Sequence, residues 1–241
     1  MNQIPFEYTG MSNLEVMQEA VKYNSFLASL ILNRTTQSTP QKMLDVGAGI
    51  GVIAELMRNA GHSVSCMEPD EQQANILTAK GFEVYTSLED VPNETFDWVY
   101  AFNVLEHVAD DEQALVEWSA KLKSGDESRL LIYVPAFDIL FSSMDYKVGH
   151  FRRYRKQELT TKILNAELIP AVKARYADCL GFMASLIYKL MDNNGDINRK
   201  SLIFYDRYCF PLSKIGDLFF RKLFGKNVFI IARKSSKTNN K

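Results

Sequence analysis

The 241-residue chain has few cysteines, no long apolar run and almost no net charge. Its three cysteines, Cys66, Cys179 and Cys209, show no paired spacing, which is typical of free thiols in a reducing compartment. No stretch reaches the roughly 18 apolar residues that a membrane-spanning helix requires, and the best run, 179–191, is interrupted by Lys189. Because the N-terminus also lacks a basic and then apolar leader, we expect a cytoplasmic protein.

The formal charge of −1 conceals opposite charges in the two halves of the chain. Residues 1–128 contain 20 acidic and 7 basic residues, whereas residues 129–241 contain 9 acidic and 21 basic ones. Such a basic half indicates an anionic partner, or else a solvated basic face that has no partner.

Strands and helices are predicted in strict alternation between residues 42 and 134. The predicted strands are too apolar to be half exposed, and they cover 42–46, 62–68, 82–86, 96–102 and 129–134. This pattern predicts an α/β fold with a mostly parallel sheet and helices on both of its faces. In such a sheet the ligand lies at the carboxyl ends of the strands.

A helix predicted at 211–224 has an apolar side and a basic side. The apolar residues are Leu212, Ile215, Leu218, Phe219 and Leu223, and the basic ones are Lys214, Arg221 and Lys222. Such a helix can lie on a membrane surface or cover a face of the sheet. We favour the covering role over peripheral membrane contact.

The stretch at 43–51, MLDVGAGIG, predicts a buried strand, a tight turn and the start of a helix. Glycines permit positive φ and let a ligand approach the main chain closely. A dinucleotide-binding turn has the pattern G-x-G-x-x-G, but here Val52 stands where that pattern has its third glycine.

The arrangement D-x-G-x-G-x-G, from Asp45 through Gly47 and Gly49 to Gly51, resembles motif I of the class I S-adenosylmethionine-dependent methyltransferases. The resemblance extends in order from about Tyr8 to Arg233, and it is weak at 192–226. It implies a doubly wound, seven-stranded sheet whose last strand is antiparallel, and S-adenosyl-L-methionine as the cofactor.

The resemblance also implies which residues bind that cofactor. Glu68, at the end of the second strand, would accept hydrogen bonds from both ribose hydroxyls, although it could also be a surface residue before a helix. Ser87 replaces an acidic residue of the family, so Ser87 and the main chain at Leu88 would hold the adenine. The full predicted set is Tyr23, Asp45, Gly47, Ala48, Gly49, Gly51, Glu68, Pro69, Ser87, Leu88 and Asn103.

Residues 102–108, FNVLEHV, resemble the LEHV stretch of small-molecule methyltransferases. This implies that Asn103 lies beside the donor and that His107 faces the cleft. A histidine that only caps and packs at a helix start would have the same local sequence.

The sequence AVKYN at 20–24 resembles an A-x-x-Y-N segment found in one branch of the family. In that branch an amphipathic helix covers the donor pocket, which implies donor contacts by Tyr8, Tyr23 or Asn24. A helix that only packs on the core would show the same pattern.

Residues 145–154, DYKVGHFRRY, resemble the D-x-x-x-G-H-Y-R-R-Y segment of the same branch, which is often associated with sugar, glycan or lipid-linked intermediates. Phe151 replaces the tyrosine of that segment. Two arginines and an imidazole can bind a phosphate or carboxylate, and in an extended segment one arginine can face substrate while the other meets a structural carboxylate. The predicted substrate contacts are Tyr146, His150, Arg152, Arg153 and Tyr154, with a wholly structural role as the alternative.

Together these features predict methyl transfer to a small anionic acceptor, on an oxygen of a sugar, glycan or lipid-linked molecule. His107 and His150 are the candidate catalytic bases, and His150 could instead bind a substrate anion. No histidine and carboxylate cluster with the spacing of metal ligands is visible, so we expect no metal, and no nucleic-acid module is recognisable. A binding protein without catalysis and a nicotinamide-dependent oxidoreductase, which Val52 disfavours, are the alternatives.

The chain is expected to form one methyltransferase domain over 1–241. Within it we expect an N-terminal helical lid at 1–36, a donor-binding half at 37–135, a basic acceptor-side half at 136–234 and a polar tail at 235–241.

Overall fold

The computed structural model describes residues 15–35, 39–191 and 198–234. The predicted donor contact of Tyr8 and the predicted polar tail lie outside the described residues, as does much of the predicted lid. The strands are β1 Lys42–Val46, β2 Ser63–Met67, β3 Glu83–Tyr85, β4 Trp98–Phe102, β5 Arg129–Pro135, β6 Leu168–Ala177 and β7 Asn227–Lys234.

These strands form a seven-stranded sheet in the order β3-β2-β1-β4-β5-β7-β6. Strands β1 to β5 run parallel, and β7 is antiparallel to both β5 and β6. The predicted doubly wound, mostly parallel sheet with an antiparallel last strand is therefore confirmed. The strand order reverses between β1 and β4, where Val46 is level with Met67 on one side and Ala101 on the other, so a crevice opens there.

Helices lie between the strands much as the sequence predicts. They are α1 Val21–Leu32, α2 Val52–Asn59, α3 Glu71–Ala79, α4 Asp111–Ala120, α5 Ser143–Val148, α6 Lys156–Asn165, α7 Cys179–Leu190, α8 Arg199–Phe204 and α9 Phe210–Phe220. A π-helical turn at Tyr205–Cys209 joins α8 to α9. Helix α1 lies within the predicted N-terminal lid, and its N-terminal cap comes from a distant part of the chain.

That cap is Asp206, which lies in the π-helical turn. Its carboxylate accepts hydrogen bonds from the backbone N–H groups of Lys22, at 3.0 Å, and Tyr23, at 2.8 Å. Free N–H groups in the first turn of a helix require such an acceptor, and Ala20 at the N-cap position of α1 offers none.

The core lies on both faces of the sheet because successive residues of a strand point to opposite faces. One face buries Leu44, Val99, Leu130, Ile132 and Ile230, and the other buries Met43, Trp98, Tyr100, Leu131 and Tyr133. The three cysteines are unpaired, as predicted.

The prediction that the apolar side of the 211–224 helix covers the sheet is wrong. Its residues are exposed, at 60% for Leu212, 59% for Ile215, 64% for Leu218, 74% for Phe219 and 67% for Leu223. The helix packs inward through its opposite side, where Phe210 and Ser213 are buried. Among the described residues, no helix is both long enough and apolar enough to cross a bilayer.

Candidate active site

A cavity of about 670 Å³ opens at the carboxyl ends of β1 and β4, where the strand order reverses. A volume of this size is typical of a pocket for a small molecule. Segments that are distant in the chain form its walls. They are Tyr23 and Asn24, the turn after β1, Glu68 and Pro69, residues 102–104 and 106–108, Asp145, His150 and Arg153, and Lys226 and Asn227.

The turn after β1 requires its glycines. Gly47, Gly49 and Gly51 have φ values of +66°, +58° and +84°, which side chains with a Cβ rarely adopt. A Cβ on Gly47 would lie 2.6 Å from Cγ2 of Val104, on the neighbouring wall of the cavity.

Gly51 differs from the other two glycines of this turn. A Cβ there would meet Leu77 at 2.7 Å, and Gly51 is not part of the cavity wall. The predicted cofactor contact by Gly51 is therefore corrected: this glycine lets α2 start close to α3.

Glu68 closes the turn from the end of β2. Its Oε2 accepts the Gly49 N–H at 2.8 Å and its Oε1 accepts the Asp70 N–H at 3.1 Å. Burial raises the pKa of this carboxyl above its usual value, against the two backbone hydrogen bonds that lower it. Each oxygen keeps a lone pair, so the pair can still accept hydrogen bonds from a ribose diol.

A second carboxylate, Asp45, is buried beside the turn and also lines the cavity. Burial raises the pKa of its carboxyl well above the usual value. Among the described wall residues, the lysine and arginine side chains belong to Lys226 and Arg153, which lie outside the glycine turn. Two carboxyl groups without a cation fit a nucleoside and a sulfonium better than a pyrophosphate.

Helix α1 contributes to both the cavity wall and the core. The Tyr23 hydroxyl donates to the Tyr133 hydroxyl at 3.4 Å, and its ring packs edge-on against Phe210 at 5.4 Å between centroids. Asn24 donates from Nδ2 to the Met17 carbonyl at 3.1 Å. Both side chains line the cavity, while other residues of α1 belong to the core. The helix therefore borders the cavity and packs on the core at the same time.

The structure does not bring Ser87 and Leu88 to the cavity. The Ser87 hydroxyl instead accepts the Glu89 N–H at 3.3 Å and caps a short 3₁₀ turn, and Leu88 packs against the core. The adenine contacts by these two residues therefore gain no support from the cavity wall and stay predictions.

Three titratable side chains meet on the wall after β4. The rings of His107 and His150 lie edge to face with centroids 4.6 Å apart, and Nε2 of His150 is 3.8 Å from Oε1 of Glu106. On its other side, Nδ1 of His150 is 2.7 Å from Oδ1 of Asp145. Both predicted catalytic histidines therefore line the cavity and touch each other.

Glu106 is fully buried, and neither of its carboxylate oxygens has a hydrogen-bond partner among the described residues. Burial raises the pKa of this carboxyl to about 8, so the group is mostly protonated at neutral pH. Burial and the neighbouring His150 lower the pKa of His107 to about 4, so this imidazole is neutral under the same conditions.

The sequence shows no cluster with metal-ligand spacing, but the fold brings three possible ligands together. Ligand atoms of Glu106, His107 and His150 lie within 4.8 Å of one another, which is close enough to hold a cation. The sequence hides this cluster because the loop after β5 carries His150 back to the LEHV segment.

Both arginines of the 145–154 segment pair with structural carboxylates. Arg153 holds Asp145 with two hydrogen bonds of 2.8 Å, from Nε and Nη2, and it lines the cavity. Arg152 binds Asp111 at 2.8 Å and donates to the Ala109 carbonyl at 2.8 Å, away from the cavity wall. The predicted substrate contact by Arg152 is therefore wrong.

Two aromatic residues of the segment also depart from the prediction. Tyr154 is fully buried, and its hydroxyl is hydrogen-bonded to Asp111 at 2.9 Å and to the Leu105 carbonyl at 3.2 Å, so it is not available to a substrate. Tyr146 is 77% exposed, packs against Phe141 and lies outside the cavity wall.

Three further residues of the cavity wall, Lys226, Asn227 and Glu106, were not predicted from the sequence. Among the described residues, the Lys226 ammonium has no hydrogen-bond or ion-pair partner, and burial lowers its pKa against the attraction of Asp178. An antiparallel last strand begins at the edge where parallel strands end, so the residues at the start of NVFIIAR could have been placed at the cavity from the predicted topology alone.

A family profile described as a methyltransferase domain matches residues 17–166. The chain is 27% identical over 133 residues to an uncharacterized methyltransferase of Staphylococcus carnosus, covering 54% of this chain and 62% of that protein. It is 25% identical over 112 residues to the ubiquinone biosynthesis O-methyltransferase of Vibrio atlanticus, covering 42% of this chain and 47% of that protein. The matches thus span less than two thirds of either relative.

Among solved structures, the fold is similar to that of geranyl diphosphate C-methyltransferase from Streptomyces coelicolor A3(2), a complex with Mg²⁺, geranyl diphosphate and S-adenosyl-L-homocysteine. The TM-score is 0.62 with 15% sequence identity, covering 91% of this chain and 84% of that one. At this identity the similarity shows the fold alone.

Proposed function

The chain belongs to the methyltransferase-domain family and has the class I methyltransferase fold, and we propose that it transfers a methyl group from S-adenosyl-L-methionine to an oxygen of a small anionic acceptor. One observation carries the proposal. A single cavity joins the glycine turn and Glu68, which suit an adenosyl group, to Glu106, His150 and Lys226, which suit an acceptor.

On the donor side of the cavity, the protein has to bind and orient the cofactor and does not have to activate it. The sulfonium supplies a strongly electrophilic methyl group, so the protein's main task is to align the acceptor oxygen with it. Glu68 would hold the ribose hydroxyls, because its two oxygens are fixed by the N–H groups of Gly49 and Asp70 and keep free lone pairs. Tyr23, Asn24 and Asn103 would complete the wall around the donor.

The acceptor half offers a base that is already oriented. Although burial acts to raise it, hydrogen bonds from His150 and Arg153 keep the pKa of Asp145 far below its usual value, so this carboxylate is ionised. An ionised Asp145 next to Nδ1 of His150 keeps the proton on that nitrogen and leaves the Nε2 lone pair to the cavity. As the acceptor oxygen forms its bond to the methyl carbon and the sulfur–carbon bond breaks, Nε2 would take the hydroxyl proton.

Lys226 and the relatives support the remaining parts of the proposal. The Lys226 side chain lies on the wall without a partner among the described residues, and in its protonated form it would bind a phosphate or carboxylate of the acceptor. One relative is an O-methyltransferase, which favours an oxygen as the methylated atom. A sugar-containing or lipid-linked acceptor follows only from the resemblance of the 145–154 segment.

Two measurements test this function. Calorimetry with S-adenosylhomocysteine should show binding that Glu68→Gln weakens by roughly tenfold or more, while Glu89→Gln, a change of an exposed carboxylate outside the cavity, leaves it unchanged. Incubation with methyl-labelled donor and pools of hydroxylated anionic metabolites should then label a product. Binding of NADH instead of the demethylated donor would overturn the proposal, and donor binding without turnover in any pool would favour a binding protein.

A further inference from the structure

One side of the chain between Phe204 and Leu223 is apolar, basic and open to solvent. We call this surface the basic–apolar stripe; it consists of Phe204, Tyr208, Leu212, Ile215, Leu218, Phe219 and Leu223 with Arg207, Lys214 and Lys222. Its apolar members recur every three or four residues, with Leu218 and Phe219 adjacent, and their exposed fractions run from 54% at Tyr208 to 74% at Phe219. Spacing of this kind places them along one face of the helical segment.

The stripe is held outward by contacts on the opposite side of the same segment. Asp206 caps α1 through Lys22 and Tyr23, and Asp217 accepts the N–H groups of Asp178 at 2.8 Å and Cys179 at 2.9 Å. The segment is therefore anchored to the fold while its apolar face remains uncovered. Exposed apolar patches of this extent are unusual on isolated proteins and indicate an interaction surface.

The charges of the segment indicate that its partner is anionic. Its two acidic residues are Asp206 and Asp217, and both are used in the inward hydrogen bonds just described. Its exposed charged side chains are basic, namely Arg207, Lys214 and Lys222, and the preceding helix α8 adds the exposed Arg199 and Lys200. Apart from the pair between Arg199 and Glu19, the outward face thus combines apolar side chains with positive charge alone.

The neighbouring helix α7 adds further exposed apolar side chains. Leu180, Met183, Ile187 and Leu190 follow one another at helical spacing and are 39%, 48%, 56% and 77% exposed. Helices α7 and α9 are in close contact, since a Cβ on Gly216 would lie 2.6 Å from the Cys179 sulfur.

We propose that the basic–apolar stripe binds the protein to the surface of an anionic lipid bilayer. The aromatic and aliphatic side chains would enter the headgroup and upper acyl region, while Arg207, Lys214 and Lys222 meet lipid phosphates. A second copy of the chain is a poorer occupant. A two-fold interface would place these same basic residues opposite one another, and the segment exposes no carboxylate to offset them.

This attachment would place the bilayer next to the proposed active site. Phe210, on the inner side of the same helix, packs against Tyr23 of the cavity wall at 5.4 Å and against Phe26 at 5.6 Å. The side chains of Phe210 and Tyr23 therefore connect the attached helix to the cavity.

Vesicle sedimentation with the purified full chain tests the proposal without any assay of catalysis. We expect the protein to sediment with vesicles of mixed phosphatidylglycerol and phosphatidylcholine, and to remain in solution with phosphatidylcholine alone. The double variants Leu218→Ser with Phe219→Ser, and Lys214→Glu with Lys222→Glu, should each weaken the binding by roughly tenfold or more. Matched controls are Val116→Ser and Leu164→Ser, which remove exposed apolar side chains from α4 and α6 and should bind as the wild type does.

Thermal unfolding of each variant establishes that it is folded, which the exposure of the changed residues predicts. The proposal is overturned if the wild type ignores the anionic vesicles, if it binds both kinds of vesicle equally, or if the stripe variants bind as well as the controls do. It is also overturned if light scattering shows a wild-type dimer that the stripe variants dissociate, because the stripe would then be covered by a second copy.

Discussion

Nδ1 of His150 lies 2.7 Å from Oδ1 of Asp145, and Arg153 holds the same carboxylate with two further hydrogen bonds. Asp145 is nearly fully buried, so the imidazole is oriented by a group that is itself fixed. The opposite ring nitrogen then faces Glu106 and the cavity. His150 is therefore a better candidate for the catalytic base than His107.

Asp145→Asn should therefore reduce methyl transfer by roughly a hundredfold or more, because an amide no longer fixes the tautomer of His150. Binding of S-adenosylhomocysteine should remain within about twofold of wild type, since Asp145 lies away from the glycine turn. Transfer of labelled methyl and calorimetry measure the two effects. Asp138→Asn changes a carboxylate outside the cavity wall and serves as the control; wild-type activity in Asp145→Asn would exclude His150 as the oriented base.

Glu106→Gln should change how stability depends on pH. The folded protein keeps the Glu106 proton up to about pH 8, whereas an unfolded chain releases it near pH 4. In that interval the wild type becomes easier to unfold as the pH rises, and a glutamine removes this dependence. The free energy of unfolding of the variant relative to wild type should thus increase by about 1 kcal/mol or more between about pH 5 and pH 8.

Denaturant titrations across this pH range provide the measurement for Glu106→Gln. Glu89→Gln, which alters an exposed carboxylate, should run parallel to the wild type throughout. Parallel curves for Glu106→Gln as well would mean that the Glu106 carboxyl is ionised in the folded protein.

Lys226→Met should raise the KM for the acceptor by roughly tenfold or more and leave donor affinity unchanged, because it removes a cation from the acceptor side of the cavity. Lys222→Met, which removes an exposed lysine four positions earlier, is the matched control. Steady-state kinetics with the acceptor found by labelling make the comparison. A change in kcat alone would assign Lys226 to the chemical step instead of to acceptor binding.

Gly47→Ala should destabilise the protein and weaken donor binding together. The new methyl group would sit 2.6 Å from Val104 at a φ of +66°, so overpacking adds about 1–3 kcal/mol to the backbone cost. Gly61→Ala has a φ of +92° with nothing within 4 Å of the added atom, so it reports the backbone cost alone. Equal losses in the two variants, measured by chemical denaturation, would show that the contact with Val104 is unimportant.

The sheet and the donor side could be predicted because both depend on local sequence. Period, apolarity and glycine spacing predict the turn at Gly47 and the strand that precedes Glu68, and the structure has both within a residue of the predicted bounds. Roles that depend on which way a side chain turns could not be read in this way. Arg152 and Tyr154 satisfy Asp111 across the fold, and the position of Asp111 relative to them is a matter of tertiary packing.

The orientation of the basic–apolar stripe could not be predicted from the sequence either. An amphipathic pattern shows that Leu218 and Phe219 share a face, but not whether that face turns toward the sheet or toward solvent. The orientation was decided by Asp217 and Ser213 on the opposite side, whose hydrogen bonds to 178–180 hold the helix by its polar face.

The cap that Asp206 provides for α1 also has a bearing on biosynthesis. The backbone N–H of Lys22 donates to Asp206, which lies 184 residues further along the chain and is therefore synthesised much later. A ribosome would therefore finish the glycine turn and most of the sheet long before the helix carrying Tyr23 could settle over them. Until α8 and α9 are synthesised, a nascent chain therefore has the glycine turn of the cavity, but helix α1 lacks its N-terminal cap.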